Sequence, residues 1–86
     1  MSEDIIRIIL EHLKNEYSAI EPCLIFGVNM EIEPKIQFGI PNYNIVCQFC
    51  SKEIVAVHKR MGTKRVLEMI DHSIEQMLID YKRRFG

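Results

Sequence analysis

The chain has 86 residues, of which 48% are hydrophobic and 27% charged, and its formal net charge is −1. This is the balance of an ordinary globular protein, and it excludes a chain that attracts nucleic acid along its whole length. The length predicts one compact domain over residues 1–86, and a chain this short buries only about 60% of its unfolded surface.

The first predicted element is a helix over residues 2–18. Ser2 is a favourable N-cap, and Glu3 and Asp4 place negative charge in the first turn, where the helix dipole favours it. Pro22 prevents any continuation of the helix. A broad apolar stripe at helical period predicts the buried face: Ile5, Ile6, Ile9, Leu10, Leu13 and Tyr17.

Three predicted strands follow. Residues 23–31 are mostly apolar, and residues 35–40 alternate apolar and polar side chains after a turn at Glu33-Pro34. Residues 43–50 are predicted to form the third strand, after a break at Pro41-Asn42. Its side chains on one face are predicted to point toward the helices: Tyr43, Ile45, Cys47 and Phe49.

The last part of the chain is predicted to form a polar turn, a fourth strand and a helix. Residues 51–53 read as the turn, and residues 54–59 as a strand that completes a hairpin. Thr63, which follows Gly62, is a predicted N-cap, and from there the apolar residues again have the spacing of a helix. The predicted buried line of this helix is Val66, Ile70, Ile74, Met77 and Tyr81, widened by Leu67 and Leu78.

Segregated helices and strands predict an α+β fold: an antiparallel sheet of three or four strands with the N- and C-terminal helices packed on one face. The other face must be solvated or covered by a second copy of the chain. The side chains predicted for that other face are Val46, Cys50, Val55 and Val57.

Cys47 and Cys50 have the spacing of half a zinc site or of a redox pair. In a strand, however, residues three apart point to opposite faces, so the two thiols are predicted to share neither a metal nor a disulfide. The odd number of cysteines favours a reducing, intracellular setting. The remaining potential ligands are scattered: His12, Cys23, His58 and His72.

No phosphate-binding loop, dinucleotide fingerprint or nucleophile signature occurs in the sequence. We therefore expect no catalysis, no cofactor or metal, and no small-molecule substrate. Residues 5–10 lack a basic n-region, and no apolar run approaches the roughly 18–20 residues of a membrane span. We expect neither a signal peptide nor a membrane contact, and a cytoplasmic location (host cytoplasm if the protein is viral).

A basic cluster over residues 58–65 is placed at the predicted junction between a strand and the last helix. Lys64 and Arg65 fall in the first helical turn, where cations are disfavoured by about 0.3–1 kcal/mol each, so a functional reason for them is expected. The cluster can bind phosphate, dock an acidic partner such as the first helix of another copy, or serve as an ordinary solvated turn. The predicted binding residues are His58, Lys59, Arg60, Lys64 and Arg65.

Charge also differs between the two parts of the sequence. Residues 1–33 hold two cations and seven anions, and residues 34–86 hold nine cations and five anions. Such asymmetry can support head-to-tail contacts between copies, or it can reflect scattered solvated charges.

The order of elements, with Gly62-Thr63-Lys64-Arg65 opening the last helix, resembles the double-stranded RNA-binding domain. Residues 39–42 (Gly-Ile-Pro-Asn) are similar to that family's Gly-Pro-x-His loop, and the resemblance covers residues 39–75. It implies that Lys64 and Arg65 grip phosphates. The last helix differs from the family's alanine-rich helix by carrying Val66, Ile70 and Ile74.

The sequence therefore predicts a small non-catalytic binding or regulatory module that acts on a macromolecule, in the first place a protein, and that forms a homodimer. Small stand-alone domains of this class include phage-encoded regulators and inhibitors. The alternative is a nucleic-acid-binding module that uses Lys59, Arg60, Lys64 and Arg65.

Overall fold

Two helices pack on one face of a three-stranded sheet in a computed structural model that describes residues 2–19 and 24–85. Helix α1 spans Ser2–Tyr17, strand β1 Ile25–Asn29 and strand β2 Lys35–Ile40. A single 3-10 turn, Pro41–Tyr43, leads to strand β3, Ile45–Cys50, and helix α2 spans Ser51–Phe85. The predicted α+β class and the order helix, three strands, helix are confirmed. Pro22 and Cys23 lie outside the described residues.

Helix α1 follows the predicted apolar stripe. Ile5, Ile9 and Leu13 are completely buried, and Ile6, Leu10 and Tyr17 are partly buried beside them. Apolar residues three and four positions apart share one face of a helix, which is the face that packs on the sheet and on α2.

The sheet is antiparallel, with strand order β1-β2-β3. Phe38 in the central strand lies between Phe26 and Cys47, and Ile40 lies opposite Ile45. Because side chains alternate along a strand, Ile36, Phe38 and Ile40 share one face of β2, and all three are buried beneath the helices.

Residues 51–59 differ from the prediction. The predicted polar turn at 51–53 and the predicted strand at 54–59 are wrong, because this whole stretch is the beginning of α2. β-Branched residues at Ile54, Val55 and Val57 favour a strand locally. In the fold, Ile54 is completely buried in the core, whereas Val55 and Val57 are only partly buried. Tertiary packing has decided between two locally acceptable structures.

Helix α2 bends at Gly62. This residue has φ 85° and ψ 176°, a conformation outside the helical region that is essentially restricted to glycine. A straight helix of 35 residues would be roughly 50 Å long, which exceeds the 39 Å maximum extent of the structure. Helix α2 is therefore two segments, 51–61 and 63–85. The second buries Val66, Ile70, Ile74 and Met77 of the predicted line, and Tyr81, the last member of that line, is partly buried.

The end of α2 is held by aromatic contacts with the turn before β3. The ring centroid of Tyr43 lies 5.0 Å from that of Tyr81 and 4.5 Å from that of Phe85. Tyr43 belongs to the 3-10 turn, so the predicted start of the third strand at residue 43 is wrong. Its ring nevertheless contacts α2, so its predicted orientation toward the helices is confirmed. Ile45, Cys47 and Phe49 do pack against the core, as predicted.

Candidate binding surfaces

The basic cluster lies on both sides of the bend at Gly62, between two helical segments rather than between a strand and a helix. Lys59, Arg60 and Lys64 are exposed, and none of them forms an ion pair with any described carboxylate. Arg65 is also exposed, but its guanidinium lies 3.5 Å from the Glu68 carboxylate.

His58 has a local partner. Its Nε2 atom lies 3.1 Å from the Thr63 hydroxyl, so the side chain spans the bend and links the two segments. This contact indicates that His58 helps to hold the two helical segments at their observed angle. Lys59 and Arg60 fall in the last turn of segment 51–61, where the helix dipole favours cations, and only Lys64 and Arg65 retain the unfavourable placement expected from the sequence.

The sheet face opposite the helices is a second candidate surface. Among the described residues no helix or strand covers it. The cross-strand register places Ile25, Gly39 and Val46 in one row at one end, and Asn29, Lys35 and Cys50 in a row at the other end. Ile25 is 62% exposed and Val46 is 58% exposed. The face therefore has an apolar end and a polar end. Val46 and Cys50 lie on it as predicted, whereas Val55 and Val57, also predicted there, lie on α2.

Two glycines shape the apolar end of this face. A Cβ atom at Gly39 would overlap the carbonyl oxygen of Ile45 and lie 3.1 Å from the Cα of Val46, so no side chain fits there. A Cβ atom at Gly27 would meet nothing within 4 Å. The result is a groove of about 240 Å³ whose lining includes Ile25, Gly27, Gly39, Pro41 and Val46. Its lining holds no ionisable side chain.

Strand β1 forms an edge of the sheet, since no other described strand pairs with its outer side. Its sequence, Ile-Phe-Gly-Val-Asn, contains neither a charged residue nor a proline. Natural edge strands commonly carry such residues because they block pairing with another chain. Gly27 could have indicated this binding edge from the sequence, since a glycine inside a strand often marks a close approach by a ligand or backbone.

A polar cluster between α1 and α2 was not anticipated from the sequence, which suggests a solvated face for His12. The Asp71 carboxylate accepts a hydrogen bond of 2.7 Å from the Tyr17 hydroxyl, and His12 Nε2 lies 2.7 Å from the same oxygen. The pKa of Tyr17 lies well above its usual value of 10.0. Burial is the larger cause, and the hydrogen bond to Asp71 raises the pKa further. The cluster joins the two helices, and the Asp71 carboxylate in it is bonded to His12 and Tyr17 of the same chain.

The two strand cysteines occupy opposite faces, as predicted. Cys47 packs against the core, and burial raises the pKa of its thiol. Cys50 donates a hydrogen bond of 3.3 Å to Glu33, whose other carboxylate oxygen lies 3.5 Å from the Lys52 ammonium. The hydrogen bond from Cys50, followed by the charge of Lys52, lowers the pKa of Glu33. The two thiols therefore have separate environments.

Within residues 2–19 and 24–85, no three His, Cys, Asp or Glu side chains are grouped as metal ligands. None of the described helices combines the length and the apolar character that crossing a membrane requires. Comparison with known proteins finds no matching family, no matching curated protein and no matching solved structure.

Proposed function

We propose that this protein is a non-catalytic protein-binding module that docks an extended segment of a partner protein against strand β1 and the adjoining groove. The observation that carries the proposal is the glycine-floored groove, bordered by Ile25 and Val46, beside an edge strand that lacks charge and proline. A domain that acts by occupying a partner's exposed segment is suited to a regulatory or inhibitory role.

The geometry favours recognition by strand addition. An extended segment that pairs with the edge of β1 forms main-chain hydrogen bonds, and every second side chain of the segment points over the open sheet face. A side chain beside Gly27 can then enter the groove. The groove, at about 240 Å³, is smaller than the roughly 300–1,000 Å³ of small-molecule sites, which favours a single apolar side chain as its occupant.

The test is a variant that fills the groove while leaving the fold intact. Gly27→Val places a side chain in open space on a strand that favours β-branched residues. Gln48→Val is the matched control, because position 48 lies on the same sheet face but outside the groove. Tagged proteins are compared by quantitative co-purification from the native cell, with and without nuclease.

A protein partner recovered with the unmodified chain and with Gln48→Val, but lost with Gly27→Val, is the expected result. Equal recovery of every partner with all three proteins would contradict docking at the groove. Loss of the partner on nuclease treatment alone would point to the second candidate function.

The second candidate is nucleic-acid binding by the basic cluster. It is favoured by the three exposed cations Lys59, Arg60 and Lys64, which lack carboxylate partners in the described part of the chain. Phosphate contacts of this kind release counterions, so affinity falls steeply as salt increases. The double change Lys64→Glu/Arg65→Glu should abolish the binding of double-stranded RNA.

The chain offers a matched control for that experiment. Lys82→Glu/Arg83→Glu makes the same change in charge at exposed positions in the last turn of α2. A binder that uses the basic cluster loses affinity in the first double variant only. Equal losses in both double variants would indicate unspecific attraction, and no binding at low salt would eliminate this candidate.

A further inference from the structure

We propose that two copies of the chain associate about a twofold axis, each placing Ile32 in a groove on segment 51–61 of the other and setting Glu31 against the other copy's Lys59. The surface involved is the loop of residues 30–33, here the acidic loop, together with the groove at the start of α2. Neither the acidic loop nor the groove on α2 shares a residue with the lining of the sheet groove.

The acidic loop presents apolar side chains to solvent. Ile32 is 99% exposed and Met30 is 68% exposed, and they alternate with Glu31 and Glu33. Moving a fully exposed isoleucine from water into an apolar contact gives one of the larger gains in binding free energy that a single side chain can provide. The loop thus offers an apolar anchor flanked by negative charge.

The loop is also held in place. The Glu31 backbone N–H donates to the side chain of Asn29 at 3.1 Å, and the Ser51 N–H donates to the carbonyl oxygen of Pro34 at 3.1 Å. Glu33 contacts both Cys50 and Lys52. An anchor on a loop whose conformation is already fixed loses less conformational entropy on binding.

The complementary groove lies on α2. Its lining residues recur at helical spacing along one face, with Val55 and Ala56 between two lysines: Ser51, Lys52, Val55, Ala56 and Lys59. Lys52 already contacts Glu33 of its own chain, whereas Lys59 forms no ion pair with a described carboxylate. The groove therefore combines two apolar residues, Val55 and Ala56, with one cation that has no ion-pair partner among the described carboxylates.

A second copy is the occupant that this pattern fits. The available acid, Glu31, and the available cation, Lys59, belong to the same chain, and the 99% exposure of Ile32 shows that the loop does not fill its own groove. The contacts of Ser51 and Lys52 with residues 33 and 34 keep loop and groove side by side. A twofold operation can therefore exchange both contacts at once, as isologous interfaces require.

The predicted dimer is weak. Stable complexes bury about 800 Å² on each partner, which is roughly one-seventh of the 5934 Å² surface of this chain. One loop and one shallow groove provide less than that, so we expect dissociation constants in the micromolar range or weaker. The sheet groove lies at the opposite end of the sheet from residues 29 and 35, so the dimer leaves both sheet grooves open.

Sedimentation velocity from about 10 to about 500 µM measures the association directly. Ile32→Asp should raise the dissociation constant at least about 100-fold, because two isoleucine side chains per dimer lose their contact. Glu31→Lys and Lys59→Glu should each raise it by about tenfold, since each sets like charges together at both contacts. Glu11→Lys, the same change at an exposed position on α1, is the control and should leave association unchanged.

Mixing the two charge variants gives the deciding result. An equimolar mixture of Glu31→Lys with Lys59→Glu should restore association, because one contact pairs the two introduced charges and the other pairs the two native ones. A monomer at all concentrations, dimerisation of Ile32→Asp equal to that of the unmodified chain, or a mixture no stronger than its components would each overturn the proposal. Partner capture at the sheet groove is unaffected by these outcomes, so the two proposals fail separately.

Discussion

The two faces of the sheet are built from the same three strands, yet the helices cover one face and leave the other open. On the face beneath the helices, Phe38 and Ile36 are completely or almost completely buried. On the opposite face, one residue along the strand, Gln37 is only partly buried and Gly39 forms part of an open groove. Residues on the covered face hold the fold together, whereas residues on the open face are available to contact another molecule.

The largest difference is expected between adjacent positions of β2. Phe38→Ala should lower the free energy of unfolding by about 3–5 kcal/mol, because it removes a buried ring and leaves a cavity. Gln37→Ala should change it by less than about 0.5 kcal/mol. Urea denaturation followed by circular dichroism measures both. Comparable losses at the two positions would mean that the open face is covered by something in solution.

Two glycines extend the comparison to the open face itself. Gly39→Ala should destabilise the fold by about 1–3 kcal/mol, because its Cβ would meet the backbone of Ile45 and Val46. Gly27→Ala should instead stabilise it by about 0.5–1 kcal/mol, since the new methyl group enters open space and the unfolded chain loses freedom. Thermal melts of the two variants should shift in opposite directions, and shifts of the same sign would contradict the shape of the groove.

A smaller effect is expected where the helices meet on the covered side. Tyr17→Phe should cost about 1 kcal/mol at neutral pH by removing the hydrogen bond to Asp71. The folded state raises the pKa of Tyr17, so its contribution is fully present below the usual value of 10.0 and is lost as pH rises above it.

Urea midpoints of the unmodified protein and of Tyr17→Phe between pH 7 and about pH 11 test this dependence. The advantage of tyrosine should shrink above pH 10, while lysine titration affects both proteins equally. An advantage that grows with pH would show that the hydroxyl is not bonded to the Asp71 carboxylate in solution.

The smallest effect concerns the basic cluster. Lys64→Glu should stabilise the fold by about 0.3–1 kcal/mol, because it places a favourable charge in the first turn of segment 63–85. Lys59→Glu should destabilise it by a similar amount, because position 59 lies in the last turn of segment 51–61. Opposite signs in denaturant midpoints are expected, and equal signs would mean that the two segments behave as one continuous helix.

Much of the covered face could be predicted from the sequence. The stripe of Ile5, Ile9 and Leu13 and the line from Val66 to Met77 are periodic over several turns, and a long periodic pattern admits one structure. The alternation of Ile36, Phe38 and Ile40 is equally decisive. The opposite faces of Cys47 and Cys50 follow from the same alternation.

The candidate surfaces were less accessible from the sequence. The basic cluster could be recognised as a run of cations, but the proximity of Arg65 to Glu68 and of His58 to Thr63 depends on the helical state of residues 51–61. The sheet groove depends on which glycine is crowded, and this is set by the neighbouring strand. The full exposure of Ile32 depends on the path of the acidic loop, which carries no periodic signal.

The amino-acid sequence by itself determined the two apolar helix faces, the alternating central strand and the α+β class, because each is a repeated local pattern with one way to bury its apolar residues. The tertiary structure alone decided that residues 51–59 are helical, so that Gly62 joins two helical segments, and that one sheet face stays open. Those outcomes depend on contacts between residues distant in the chain, where Ile54 fits the core as part of a helix although its neighbours would also suit a strand.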